Sequence, residues 1–299
     1  MHPLIDAIRN KNKFKVLEIL NNNNKNHTTK NNEKDKYNRS PLFYAIIMKY
    51  NYKEVIQKII DINPTIVKQK DKWGDYKLFT ALRYNCADVN LINRLVEIFP
   101  NACMELDSQN LYAFSIAIMI KKKHQVTPTS VIKCILKHSD IENICSHYMF
   151  NRSPLAYALK YLISYISLEI FIIIVNNSPI KYLNLKDIEN IEPIKRALTQ
   201  TNQWENDDEQ AHFLQTLINK SNNTIKFDEE DEYGRTILHF ACLHKVGVKA
   251  INVLINAHPK MLIERDREGR LPLHIAIRMY IYTHTFCKIY NKKQTNTLL

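Results

Sequence analysis

Seven Gly or Asn residues recur in one local frame: Asn38, Gly74, Asn110, Asn151, Asn190, Gly234 and Gly269. Three residues before them stand Asp35, Asp71, Asp107, Tyr148, Asp187, Asp231 and Asp266. Seven residues after them stand Ala45, Ala81, Ala117, Ala158, Ala197, Ala241 and Ala276, and Ala7, behind Pro3 and Leu4, repeats the end of the frame. Gly and Asn adopt left-handed backbone at least cost, so the column predicts a tight turn. A small residue at a fixed place after it predicts a helix packed closely on its copy in the next unit. Successive turns are 36, 36, 41, 39, 44 and 35 residues apart, a period that signals a solenoid of repeated units.

The last two units read Asp231-Glu-Tyr-Gly-Arg-Thr-Ile-Leu-His-Phe-Ala241 and Asp266-Arg-Glu-Gly-Arg-Leu-Pro-Leu-His-Ile-Ala276. Both resemble the ankyrin repeat, whose turn and first helix carry T-P-L-H-x-A. Asn38-Arg-Ser-Pro-Leu-Phe-Tyr-Ala45 and Asn151-Arg-Ser-Pro-Leu-Ala-Tyr-Ala158 are more worn versions. The resemblance implies an all-α solenoid of stacked helix-turn-helix units with short β-hairpin-like turns. It covers residues 1–299 as one array, with units starting near 1, 35, 71, 107, 148, 187, 231 and 266, those at 107–147 and 187–230 being degenerate. Proline opens the first helix in this family, and Pro3, Pro41, Pro154, Pro193 and Pro272 hold that place, which suits proline's fixed φ and missing N–H.

Each unit adds a second apolar run at helical spacing, as in Val55, Ile56, Ile59 and Ile60, or Leu91, Ile92, Leu95 and Val96, or Ile251, Leu254 and Ile255. Steps of three and four give one buried stripe. Pro64, Pro100, Pro179 and Pro259 come after these runs and are expected to stop the helix and begin an extended connection. The polar run from Asn21 to Asn24, continuing to Lys34, predicts a long surface loop.

The formal charge is +12. Residues 1–100 carry 18 basic and 10 acidic residues, against 13 and 12 in residues 201–299. The N-terminus (Asp6, Arg9, Lys11, Lys13, Lys15) has no apolar core of a signal peptide. Cys86, Cys103, Cys134, Cys145, Cys242 and Cys287 are scattered through apolar runs and read as buried thiols of a reducing compartment, hence an intracellular, cytoplasmic chain. The apolar stretch Tyr161 to Val175 is shorter than the ~20 residues a membrane span needs and falls in register as a second helix, so no membrane span is expected.

Catalytic chemistry finds no support. His239 and His274 occupy the family's T-P-L-H histidine, which the resemblance assigns to tying neighbouring turns together. Three of four glycines belong to turns, leaving only Gly247 and no phosphate-cradling loop. There is no G-x-S-x-G, H-E-x-x-H or kinase signature. Cys134, His138, Cys145 and His147 offer zinc-type ligands, but C-x3-H-x6-C-x-H matches no usual spacing and Cys134 lies within an apolar helix. No cofactor is expected.

The expected function is therefore a non-catalytic protein-protein interaction scaffold. By resemblance, its partner contacts fall on the concave face, on turn tips and the outer positions of first helices. Two residues after each unit's start stand Tyr37, Trp73, Gln109, Phe150, Glu189, Tyr233 and Glu268. First helices continue past their alanines to Arg83, Tyr84, Lys160, Tyr161, His244 and Arg278. Aromatic and arginine side chains dominate binding hot spots, so Tyr37, Trp73, Arg83, Tyr84, Phe150, Lys160, Tyr161, Tyr233, His244 and Arg278 are the candidate partner-binding residues. The alternative is salt-sensitive binding of nucleic acid or an anionic surface by the basic N-terminal third, with Lys68, Lys70, Lys72 and the Lys and Arg of residues 9–39 joined by Lys121 to Lys123 in one positive strip.

Overall fold

The computed structural model describes residues 3–25, 34–48, 53–85, 88–119, 128–140, 143–144, 153–161, 167–187, 189–199 and 204–280. Tyr148, Phe150, Asn151, Lys121 to Lys123, Cys86, Cys145, His147, Cys287 and the tail from residue 281 lie outside them. The chain divides into two compact units, Met1–Met149 and Phe150–Leu299.

The first unit comprises four helix pairs: α1 (Pro3–Arg9) with α2 (Lys13–Lys25), α3 (Pro41–Ile47) with α4 (Lys53–Ile62), α5 (Lys77–Asn85) with α6 (Val89–Ile98), and α7 (Ala113–Met119) with α8 (Thr129–Lys137). The first helices α1, α3, α5 and α7 pack in succession. The alanine column lies buried on these helices, at Ala7, Ala45, Ala81 and Ala117, where a longer side chain would be overpacked. The second helices bury the apolar stripes read from the sequence, including Val55, Ile59, Ile92 and Val96 at 0 % exposure.

The second unit repeats the plan with α9 (Pro154–Tyr161) and α10 (Leu168–Asn177), α11 (Pro193–Thr199) and α12 (Asp207–Ser221), α13 (Ile237–Leu243) and α14 (Val248–Ala257), and α15 over residues 272–280. First helices α9, α11 and α13 pack in turn, as do second helices α10, α12 and α14. Phe171, Trp204 and Phe213 form one aromatic cluster, with ring centroids 5.2 to 5.6 Å apart. The Trp204 Nε1–H and the Gln210 amide both donate to the Ala197 carbonyl, at 3.2 and 3.0 Å. The turn-and-helix units with worn motifs near 107 and 187 fold as helix pairs like the rest.

Two sequence expectations need correction. Pro64, Pro100 and Pro259 do not lead into extended chain: each opens a 3-10 turn, Pro64–Lys68, Pro100–Cys103 and Pro259–Leu262, and Pro179 caps a single α-turn, Ile180–Leu183. Proline lacks an N–H that the first turn of a helix would leave unpaired anyway, so it ends one helix and starts the next. Asn21 to Asn24 are not loop either; α2 continues through them to Lys25, the neighbour α4 supporting a helix that propensity alone would not. Among the described residues there is no strand beyond one antiparallel bridge, Leu106 to Tyr112. No described helix is long and apolar enough to cross a membrane.

Candidate functional site

The turns are built by their aspartates. In each of the six described turns, starting at Asp35, Asp71, Asp107, Asp187, Asp231 and Asp266, the residue three later donates its N–H to the aspartate carbonyl, and the aspartate N–H bonds the carbonyl four later. The side chain then closes the loop: Oδ1 accepts from the amides two and four residues on, at 2.8 to 3.2 Å. The column residue itself stands at positive φ, from 59° at Asn38 to 92° at Gly74. At Gly234 a Cβ would also come within 3.0 Å of the Arg267 backbone nitrogen.

Successive tips are tied together. Lys72 N–H donates to the Tyr37 carbonyl at 2.9 Å and Arg267 N–H to the Tyr233 carbonyl at 3.0 Å. His239 accepts from the Thr236 amide on Nδ1 (3.2 Å) and therefore donates from Nε2 to the Arg270 carbonyl in the next turn (3.0 Å). That is the structural role the resemblance implied, and it engages both nitrogens of this buried ring. His274 repeats the local half, accepting from the Leu271 amide at 2.9 Å.

The carboxyls of Asp35, Asp231 and Asp266 are lowered from their ordinary value. Burial pushes each upward, and hydrogen bonds outweigh it: from Tyr44 and two amides at Asp35, and from Arg235 and Arg270 with backbone amides at the other two. A depressed carboxyl contributes stability above its unfolded pKa and loses it as pH falls through the folded one. We therefore expect urea midpoints to hold from neutral pH down to about 4, then fall steeply below about 3.9, the ordinary aspartate value. Asp231→Asn with Asp266→Asn should start less stable and show a shallower loss over that interval.

The sequence-selected tip residues fall into two groups. Tyr37 and Trp73 stack across successive turns, with centroids 5.7 Å apart and planes at 15°. Trp73 remains 49 % exposed. Arg39 spreads over both rings, 4.7 Å from each centroid, and over Phe43 at 5.0 Å, while Lys36 and Lys72 approach Tyr37 at 4.9 and 5.5 Å. Tyr233 is 52 % exposed with Arg235 over its ring at 4.4 Å, Tyr84 is 45 % exposed, and Arg278 lies exposed on α15. The other group is engaged within the fold. Arg83 bonds Asp75 at 2.9 Å and pairs with Asp107 of the next turn, joining two turns. Lys160 pairs with Glu189, Tyr161 packs on Tyr157 at 5.0 Å, and half-buried His244 packs on Phe240 at 4.4 Å. Burial, and then Arg235, lower its imidazole pKa. Phe150 is outside the described residues.

Sequence reading counted Arg39, Lys36 and Lys72 only as part of a basic strip and missed their packing on the tip aromatics. The signal was an arginine four after the turn aspartate, beside the tip residue two after it: Arg39 with Tyr37, Arg235 with Tyr233, and Arg270 with Glu268, whose carboxylate it meets at 2.6 Å. The thiols of Cys103 and Cys242 are buried, and burial raises them to about 12 and about 11. Cys134 lies half-buried in α8 and His138 at that helix's end.

An Asp-closed turn leading into a first helix, a small alanine on that helix and a second helix behind it recur through both units. The fold is the ankyrin repeat. The ankyrin repeat domain of Bcl-3, described as a unique member of the IkappaB protein family, is similar in structure over 84 % of this chain and 97 % of that one, with a TM-score of 0.52 and 15 % identity. No known-family model and no curated protein matches the sequence.

Proposed function

We propose that this ankyrin-fold chain is a non-catalytic scaffold that binds a protein partner through its turn tips and the outer faces of its first helices. The observation that carries this reading is the Tyr37–Trp73 stack, half exposed, with Arg39 lying over both rings. Large, preorganised aromatic area with a cationic rim loses little entropy on binding and gains much contact. Tyr84, Tyr233 and Arg278 extend the exposed set. Arg83, engaged by two carboxylates, is a poor choice for a test because its loss would disturb the turns themselves.

The same platform favours a second reading. The cations Lys36, Arg39 and Lys72 beside an exposed indole suit stacking on single-stranded nucleic acid, with strong salt dependence. Wild type and a Trp73→Ala/Tyr84→Ala variant, matched by circular dichroism, should be compared in affinity capture from cell lysate and the recovered partner titrated. The scaffold reading expects a protein bound across moderate salt and weakened by about thirtyfold, as for a 2 kcal/mol hot spot. Recovery of nucleic acid released by moderate salt would favour the second reading, and capture of the same proteins equally by both forms would overturn the tip assignment.

A further inference from the structure

In two of the stacks a lysine one residue before a turn aspartate meets a glutamate two residues before the next. Lys70 reaches Glu105 at 3.4 Å in the first unit, and Lys186 reaches Glu229 at 2.9 Å in the second. At the last described stack the same two positions are Glu230 and Glu264. The lysine is gone, and both positions carry acids where the Lys70 and Lys186 stacks carry a cation and an acid. Among the described residues Glu264 makes no ion pair, and its Oε2 is buried without a hydrogen-bond partner.

Two further donors converge there. Asp228, three before its turn aspartate, and His258, at the end of α14, stand with Glu264 so that one ligand atom from each lies within 4.8 Å of the others. His258 Nε2 is 2.5 Å from Asp228 Oδ1, yet that nitrogen is buried and makes no hydrogen bond. Phe227 stacks on the imidazole, 5.7 Å away and within 6° of parallel, which fixes the plane in which the nitrogen points. Where the equivalent stack in the first unit needs no external cation, these three positions hold Lys68, Phe99 and Glu105. Asp228 and His258 also line an open cleft with Phe227 and Lys226.

We propose that Asp228, His258 and Glu264 bind a divalent transition-metal ion, which supplies the charge that Lys70 and Lys186 supply in their stacks. One imidazole nitrogen and two carboxylate oxygens suit zinc, with bonds of about 2.0–2.2 Å and a fourth position left to water; the imidazole weighs against magnesium and calcium, which prefer oxygen. Stacking on Phe227 holds the imidazole plane.

The test is calorimetric titration of Zn2+ into chelator-treated full chain at neutral pH, with thermal unfolding alongside. Wild type should bind one more equivalent than His258→Ala, and excess Mg2+ should not displace it. Glu264→Gln should weaken that equivalent by at least about tenfold. Glu230→Lys, an exposed change that restores the pairing of the Lys70 and Lys186 stacks, should abolish it while keeping the fold. Zn2+ should raise the melting temperature of wild type and not of Glu230→Lys. Equal stoichiometry in wild type and His258→Ala, or no zinc uptake by wild type, would overturn the site and leave His258 and Asp228 as a plain ion pair.

Discussion

Replacing Asp187 by alanine lowers the stability of the second unit by about 3 kcal/mol or more, the range for breaking a buried ion pair from one side. The carboxylate is fully buried, and the side chain of its partner Arg196 is only 8 % exposed. Oδ1 accepts from the Glu189 and Ile191 amides and Oδ2 from Arg196 at 2.5 Å. Removal leaves two turn amides without acceptors and a buried guanidinium with Glu189 as its remaining carboxylate partner, at 2.7 Å. The comparison is Asp231→Ala, in the same column with the same amide pattern but a side chain 23 % exposed. Water can replace its lost contacts, and about 1–2 kcal/mol is expected. Urea unfolding of both variants at neutral pH decides the matter. Equal losses would mean that the amides, not the buried charge pair, dominate the column.

Phe213→Ala is expected to cost about 3–5 kcal/mol, as for other fully buried phenylalanines. Its ring is at 0 % exposure between Phe171 and Trp204, and it joins α10 to α12. The readout is built in. The chain has two tryptophans, and in a Trp73→Phe background only Trp204 reports. Its emission should shift to the red in Phe213→Ala before unfolding, because the cavity admits water to one face of the indole. Unchanged emission with an unchanged midpoint would show that the neighbouring rings close over the gap.

What could be read from the sequence was set by local geometry. A left-handed residue, a carboxylate that bonds amides two and four positions on and an alanine in the first helix all repeat at fixed short spacing, so the turns and first helices were legible. His239 was legible through its motif. The connections were not, because proline both stops a helix and opens one, and the residues after it decide between extended chain and a new turn: Pro64, just past the end of α4, begins a 3-10 turn. Nor was the engagement of Arg83, whose two carboxylates lie 8 and 24 residues away. The pairing of Lys70 with Glu105 and Lys186 with Glu229 requires knowing which positions face each other after stacking. Once that register is known, the break at Glu230 and Glu264 can be seen in the sequence itself.

The turn aspartates use the tip residue only through its main-chain amide. Tyr37, Trp73, Gln109, Glu189, Tyr233 and Glu268 therefore share one backbone geometry while differing in size, charge and aromaticity. The aspartates themselves place no demand on the identity of those side chains, so, except where they also pair within the fold, as Gln109, Glu189 and Glu268 do with Arg83, Arg196 and Arg270, they can be varied one at a time. A new specificity can be grafted at this position without re-engineering the frame that displays it.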